Sequence, residues 1–192
     1  HLRPPSLLVK SKTMTLDAVT LRNLEIVKTI GDSSKDTLFA VLNKTSTAGG
    51  SRKLKDWLLR PLHDLDELNQ RHDAVQELFD NTLSRREIKD ILKGFQDVER
   101  LLSRLGHGSI SPRDLDSLRT SLNTLKDLKQ FLSEEPLKSK LMKRLVKSID
   151  VHKQVSEKLE EALVEEPPLV LRDGGIFKKG YSEELDDLRS RA

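Results

Sequence analysis

The chain has 192 residues, 34 Lys+Arg against 31 Asp+Glu, a formal charge of +3 and no cysteine. The length suits one domain or slightly more, and so small a net charge does not by itself imply a nucleic-acid partner. Without cysteine there is no disulfide, no thiolate nucleophile and no cysteine-based zinc site.

Charged residues make up 34% and aromatics only 4%, with leucine as the main apolar residue. The expected class is therefore all-α: a multi-helix bundle or array with long helices, and room for one or two very short strands. Residues 1–15 read as a lead-in kept extended at Pro4-Pro5, with Leu7, Leu8 and Val9 available for a short strand or a docked tail. Thr15 or Asp17 caps a first helix carrying Val19, Leu24 and Val27 and stopping near Gly31. Asp36 caps a second, around Leu38, Phe39 and Leu42. The run Thr45-Ser46-Thr47-Ala48-Gly49-Gly50 breaks the chain before a third helix with the stripe Leu54, Trp57 and Leu58, ended by Pro61. Trp57, the only tryptophan, is expected to be a core anchor.

Asp64-x-x-Glu67 opens a helix with Leu65, Leu68, Val75 and Phe79 inward and His72 on the same stripe. Ser84-x-x-Glu87 has the capping-box pattern for a helix bearing Leu83, Ile88, Ile91 and Leu92, interrupted at Gly94. Val98, Leu101, Leu102 and Leu105 make another, closed by Gly106. At Ser111-Pro112 a side-chain cap precedes a proline at the first helical position, where its missing N–H costs nothing. That helix carries Leu115, Leu118, Leu122, Leu125 and Leu128 and ends before Pro136.

From Leu137 to Glu166 there is neither glycine nor proline, and Leu141, Leu145, Ile149, His152, Val155, Leu159 and Leu163 recur at spacings of three and four. This predicts one continuous helix of about 45 Å, ended by Pro167-Pro168. Leu169-Val170-Leu171 suits a short strand, Asp173-Gly174-Gly175 a turn, and Ser182 caps a last helix with Leu185 and Leu188. The final eleven residues fall short of the ~12–15 an isolated helix needs in water, so they should fray or dock.

Chemistry-bearing patterns are scarce. Thr47-Ala48-Gly49-Gly50-Ser51-Arg52-Lys53 is glycine-rich, but its spacing is not that of a phosphate-cradling P-loop and no strand precedes it. The histidines His1, His63, His72, His107 and His152 include no pair at i, i+3 or i, i+4. His72 and His152 lie on apolar stripes, where a hydrogen-bonded structural histidine is commoner than a ligand. Glu160, Glu161, Glu165 and Glu166 read as a solvated helix end, and there is no Gly-x-Ser-x-Gly elbow. No catalytic, cofactor or metal residue is expected, and no residue is assigned to DNA binding. Lys138, Lys140, Lys143, Arg144 and Lys147 fall within ten residues free of acids and are weak candidates for phosphate contact. No aromatics interleave for base stacking. No run approaches the length of a membrane span. The setting is expected to be reducing and cytoplasmic, and a start without initiator methionine is expected of a piece of a longer protein.

Several blocks then occur in a recognisable order. They are Leu16-Asp17-x-x-Thr20-x-x-Asn23-Leu24-Glu25-Ile26, Asp36-Thr37-Leu38-Phe39, and Thr47-Ala48-Gly49-Gly50-Ser51-Arg52-x-Leu54-x-x-Trp57-x-x-x-Pro61-Leu62. Arg71-His72-Asp73-Ala74-Val75, Asp97-Val98-Glu99-Arg100-Leu101, Ser111-Pro112-Arg113-Asp114-Leu115 and Glu166-Pro167-Pro168 follow. The last runs from Asp173-Gly174-Gly175 through Lys178-Lys179-Gly180-Tyr181 to Glu184-Leu185-Asp186-x-Leu188-Arg189. In this order they resemble the core, or lever-base, domain of the bacterial MutS family of DNA mismatch-recognition ATPases. Gly49 is a departure, since the family often carries a larger apolar residue there.

The resemblance implies that residues 1–12 end a connector region, 13–181 form the helical core, and 182–192 begin an outgoing lever helix cut before the clamp. It implies an architectural part without the mismatch wedge, the clamp or the ATPase, so not an enzyme in itself. ATP and magnesium belong to the parent family. So do the partners: mismatched duplex DNA, a second protomer and the MutL repair protein, in the cytoplasm and on the nucleoid through DNA. Leu54, Trp57, Leu58, Asn23, Arg52, Pro61, Gly174 and Gly175 are the implied structural positions. Alternatives are a helical scaffold or adaptor, or the core of a MutS-like paralogue lacking the mismatch-binding domain.

Overall fold

The computed structural model describes residues 12–31 and 33–191; the strand expected at Leu7–Val9 lies outside them. Among the described residues there are ten α-helices and no ladder of strands: α1 (Ala18–Asn23), α2 (Leu38–Leu42), α3 (Ala48–Leu59), α4 (Leu65–Asp80), α5 (Thr82–Leu92), α6 (Val98–Gly106), α7 (Pro112–Glu134), α8 (Lys140–Ser148), α9 (Lys153–Ala162) and α10 (Glu183–Arg191). The all-α expectation holds. The chain divides into two compact units, one of residues 1–82 with 138–143, the other of 83–137 with 144–192.

In the first unit the lead-in is anchored by an isolated antiparallel bridge between Thr13 and Leu62. Met14 N–H donates to the Pro61 carbonyl at 2.7 Å, and His63 N–H to the Lys12 carbonyl at 3.1 Å. Asp17 caps α1 by accepting from Thr20 N–H at 2.7 Å. The helix ends at Asn23, well before Gly31, and Val19 and Leu24 are exposed; Ile26 is the buried residue of this stretch. The cap of α2 is Thr37 rather than Asp36, its hydroxyl accepting from Ala40 N–H at 3.1 Å. Asp36 instead takes a left-handed conformation, φ 61°. Two of the ordered blocks meet here: Leu38 and Phe39 N–H donate to the carbonyls of Glu25 and Ile26, which uses donors a helix start leaves unpaired.

The glycine-rich run breaks the chain only over Thr45–Thr47; Ala48, Gly49 and Gly50 already form the first turn of α3. Thr47 caps it, accepting from Gly50 N–H at 3.0 Å. A Cβ on Gly49 would meet nothing within 4 Å, so close packing does not require glycine there. Trp57 is not a core anchor. It keeps 36% of its surface exposed, and the Arg71 guanidinium lies 3.9 Å from the ring centroid. The ring is capped by a cation where burial was expected.

Asp64 caps α4 as expected, accepting from Glu67 N–H at 3.0 Å. Glu67 does not close a reciprocal box; its carboxylate takes the Lys12 ammonium at 2.6 Å. The expected inward stripe faces out instead. Leu65, Val75 and Phe79 are 73%, 64% and 69% exposed, and His72 is exposed with them. The buried position is Ala74, halfway round the helix. At its far end Glu77 accepts from the N–H groups of Lys138 and, at 3.0 Å, Ser139, so a carboxylate caps the start of α8.

In the second unit, α5 already starts at Thr82, so Ser84 is inside the helix and buried, its hydroxyl donating to Glu135; it is not a cap. Leu83 is exposed. Leu101, Leu118 and Leu122 form the core, with Val98 and Leu159 packed on it. The continuous helix from Leu137 to Glu166 is absent. The chain leaves helix at Ile149, His152 adopts φ 45°, ψ 50°, and α9 starts afresh. Lys129 of α7 donates to the Ile149 carbonyl at 2.6 Å, and Asp150 accepts from His152 N–H at 2.9 Å. These bonds supply partners that a helix would have supplied internally.

Leu169–Leu171 is not a strand; a 3-10 turn runs over Leu171–Asp173. Pairing occurs instead at an isolated bridge between Leu163 and Phe177. Gly174 and Gly175, at φ 69° and 67°, turn the chain back to reach it. Ser182 accepts from Leu185 N–H at 3.3 Å at the start of α10. That helix docks on its own lead-in: Arg189 donates to the Phe177 carbonyl at 3.1 Å, and Asp186 accepts from Gly180 N–H at 2.5 Å.

The break gives His152 a testable signature. A left-handed non-glycine residue costs about 1–2 kcal/mol, so His152→Gly should raise the urea midpoint by the equivalent of roughly 0.5–1 kcal/mol. Were α8 and α9 one helix, the same change would lower it by about 1 kcal/mol. For Trp57, Arg71→Ala should shift the emission maximum to the red and increase iodide quenching.

Candidate functional site

The densest polar constellation gathers along α7. Its start is a complete capping box: Asp114 N–H donates to the Ser111 hydroxyl at 3.1 Å, and Ser111 N–H to the Asp114 carboxylate at 3.0 Å. The same carboxylate takes Arg104 of α6 at 2.5 Å. Burial pushes the Asp114 carboxyl up, but the Ser111 N–H and the Arg104 guanidinium outweigh it and hold it below its ordinary 3.8.

One turn on, Arg119 is 9% exposed. Its Nη2 donates to Asp116 at 2.5 Å and to the Glu165 carbonyl at 3.0 Å, and its Nη1 to the Leu163 carbonyl at 3.4 Å. Glu160 lies 3.8 Å from Nη1. A buried cation thus meets the segment just past the end of α9, where unpaired carbonyls and the helix dipole favour positive charge. Asn123, four residues further, donates to Glu160 at 2.7 Å and accepts from the Ser156 hydroxyl at 3.2 Å.

On another side of α7, the Ser121 hydroxyl accepts from Gln96 N–H at 3.0 Å. A Cβ on Gly94 would come within 2.7 Å of the Thr124 hydroxyl, so only glycine lets the loop before α6 approach this closely. These groups are structural donors and acceptors matched to one another.

The residues singled out from sequence are scattered. Leu54 and Leu58 are half-buried on α3, Arg52 is exposed, and Asn23 is an exposed residue at the end of α1. Pro61 is half-buried and holds Met14 through its carbonyl. Lys138, Lys140, Lys143, Arg144 and Lys147 are all exposed. His152 lies in the break before α9, its side chain mostly exposed. Arg119 and Asn123 were missed because both sit on a helix already explained by leucines. The available signal was a polar pair at i and i+4, each member directly following a leucine of the stripe, Leu118 and Leu122.

Residues 19–191 match MutS domain III. The chain belongs to that family. The DNA mismatch repair protein MutS of Methanosarcina acetivorans is 41% identical over 180 residues, 92% of this chain and 20% of that protein. MutS of Pelotomaculum thermopropionicum is 41% identical over 190 residues, covering 98% and 22%, and MutS of Alkaliphilus oremlandii 38% over 189, covering 98% and 21%. The chain therefore spans about a fifth of the length of the curated relatives it matches. No helix among the described residues is long and apolar enough to cross a membrane.

The sign of the acid response of the MutS domain III fold follows from Asp114. Its folded pKa is depressed, so its contribution is complete above its ordinary value and is lost as pH falls through the lower folded value. Asp114→Asn should cost about 1 kcal/mol at pH 7, and urea titrations should show that difference shrinking towards pH 3.

Proposed function

We propose that this chain is the helical core of a MutS-type mismatch-repair protein and that its work is mechanical: it carries displacement between mismatch recognition and ATP turnover elsewhere in the longer polypeptide. The observation that carries the reading is the set of partners on α7. This 23-residue helix of about 35 Å is bonded to α6 at its start, to α9 and its following segment along its middle, and to the α8–α9 break near its end. Close-packed interiors compress poorly, and coupling between distant sites requires packed elements with discrete arrangements.

On this reading residues 1–12 end a connector, 13–181 form the core, and 182–192 open a lever helix. Mismatched duplex DNA, a second MutS protomer and the MutL protein are the partners of the whole protein, in the cytoplasm and on the nucleoid. ATP and magnesium serve a separate ATPase region. The chain itself contributes no catalytic residue and holds no cofactor. Lys138, Lys140, Lys143, Arg144 and Lys147 give at most weak, salt-sensitive contacts to phosphate.

The test uses the full-length protein with Asn123→Ala, which removes the bonds to Glu160 and Ser156 and leaves the leucine core. Affinity for a G·T mispair should hold. The stimulation of ATP turnover by mispaired over fully paired DNA should fall by roughly 2- to 30-fold, the range that about 0.5–2 kcal/mol of coupling represents. Unchanged stimulation in a variant whose α7–α9 contact is demonstrably loosened by hydrogen exchange would rule the mechanical role out.

A further inference from the structure

Helix α8 carries its charge in a pattern that works against the helix itself. Lys140, Lys143, Arg144 and Lys147 are all exposed. At 3.6 residues per turn they share an arc of about 100°, and Met142, on the far side, is the buried residue. Within the arc Lys140 and Arg144, and Lys143 and Lys147, stand at i, i+4, where like charges repel and weaken a helix. Lys140 and Lys143 also occupy the first turn, which the helix dipole reserves for acids, and α8 has none there. The nearest acids along the chain are Glu135 and Asp150. Cations on other helices are answered: Arg104 by Asp114, Lys153 by Glu157 and Arg189 by Asp186. Lys143 lends its charge to the Glu77 carboxylate, but among the described residues no ion pair takes Lys140, Arg144 or Lys147.

We propose that the Lys140–Lys143–Arg144–Lys147 stripe of α8 is a contact surface for the phosphate backbone of duplex nucleic acid, completed from outside by the anion the helix lacks. The stripe offers only donors, since lysine and arginine have no acceptor, and phosphate oxygens offer only acceptors. From Lys140 to Lys147 it runs about 10 Å, the axial rise of roughly three phosphates of one strand. No apolar side chain lies within the arc, so a docked acidic helix would find no row on which to bury its own apolar face. No aromatic interleaves, so single strands find nothing to stack on. Contacts of this kind position a duplex without reading its sequence. Each is weak alone, and their sum is steeply salt-dependent. The contact rests on the mismatch-repair reading of the chain and is independent of the mechanical role.

The experiment measures the affinity of the full-length protein for fully paired and G·T-mispaired duplexes between 50 and 200 mM salt. The stripe variant combines Lys140→Gln, Arg144→Gln and Lys147→Gln and spares Lys143, which serves Glu77. A matched control removes the same charge from paired cations elsewhere, with Lys53→Gln, Lys93→Gln and Lys153→Gln. In the stripe variant the slope of log affinity against log salt should become less negative by about 2.7, or 0.9 for each lost contact. Affinity at 0.15 M salt should fall roughly 10- to 100-fold, by the same factor for both duplexes. The control should keep the wild-type slope, and the charge-preserving set Lys140→Arg, Arg144→Lys and Lys147→Arg should recover it, which separates lost charge from lost folding. An unchanged slope in the stripe variant overturns the proposal and leaves the stripe to an acidic polypeptide. An equal shift in the matched control, a loss confined to the mispaired duplex, or no recovery in the charge-preserving set overturns it too. Wild-type protein that bound no duplex would sink the mismatch-repair reading along with the contact; wild-type binding that the stripe variant reproduces sinks the contact alone.

Discussion

The guanidinium of Arg119 is the point on which the second unit turns. It is buried, and removing a cation from water is costly unless every donor finds an acceptor. Asp116 supplies the charge from the same helix, and the carbonyls of Leu163 and Glu165 supply the rest from the far side of α9. Those carbonyls are bonded only where the chain turns extended after Ala162. The cation, the end of α9 and the course of the following segment are therefore satisfied together or not at all.

That segment decides what comes next. Once Leu163 is held, Val164 N–H reaches the Ile176 carbonyl at 3.0 Å and Lys178 N–H the Ala162 carbonyl at 2.8 Å. The loop between them closes through the two left-handed glycines. Phe177 then stacks on Tyr181, ring centroids 5.6 Å apart, and offers its carbonyl to Arg189 of α10. A chain of short-range bonds thus leads from the middle of α7 to the last helix.

The first unit is organised differently. Its joints are backbone bonds and caps: Thr13 against Leu62, the Glu25 and Ile26 carbonyls against the start of α2, and Glu77 against the start of α8. Burial pushes the Glu77 carboxyl up, yet the Lys138 and Ser139 N–H groups, the Ser139 hydroxyl and the charge of Lys143 hold it below the ordinary carboxylate range. Directional bonds fix geometry here while much apolar surface stays open.

Much of this was legible in the amino-acid order. The all-α class, the caps at Asp17, Asp64, Ser111 and Ser182, the proline start of α7, the turn at Gly174-Gly175 and the family relationship all follow from residues a few positions apart. A cap is a bond to a backbone group about three residues away, so its outcome depends little on the rest of the molecule. Tertiary structure alone decided the rest. Residues 137–166 contain no glycine or proline, yet the helix stops at Ile149, whose carbonyl takes Lys129 from twenty residues earlier while Asp150 accepts locally from His152 N–H. Ser84 fell inside α5, which starts at Thr82, and bonds to Glu135, 51 positions away. Trp57 acquired Arg71, and α4 turned Ala74 inward in place of its larger apolar stripe. Periodicity names the faces of a helix that suit burial, but only the surfaces present in the folded chain determine which of them is covered.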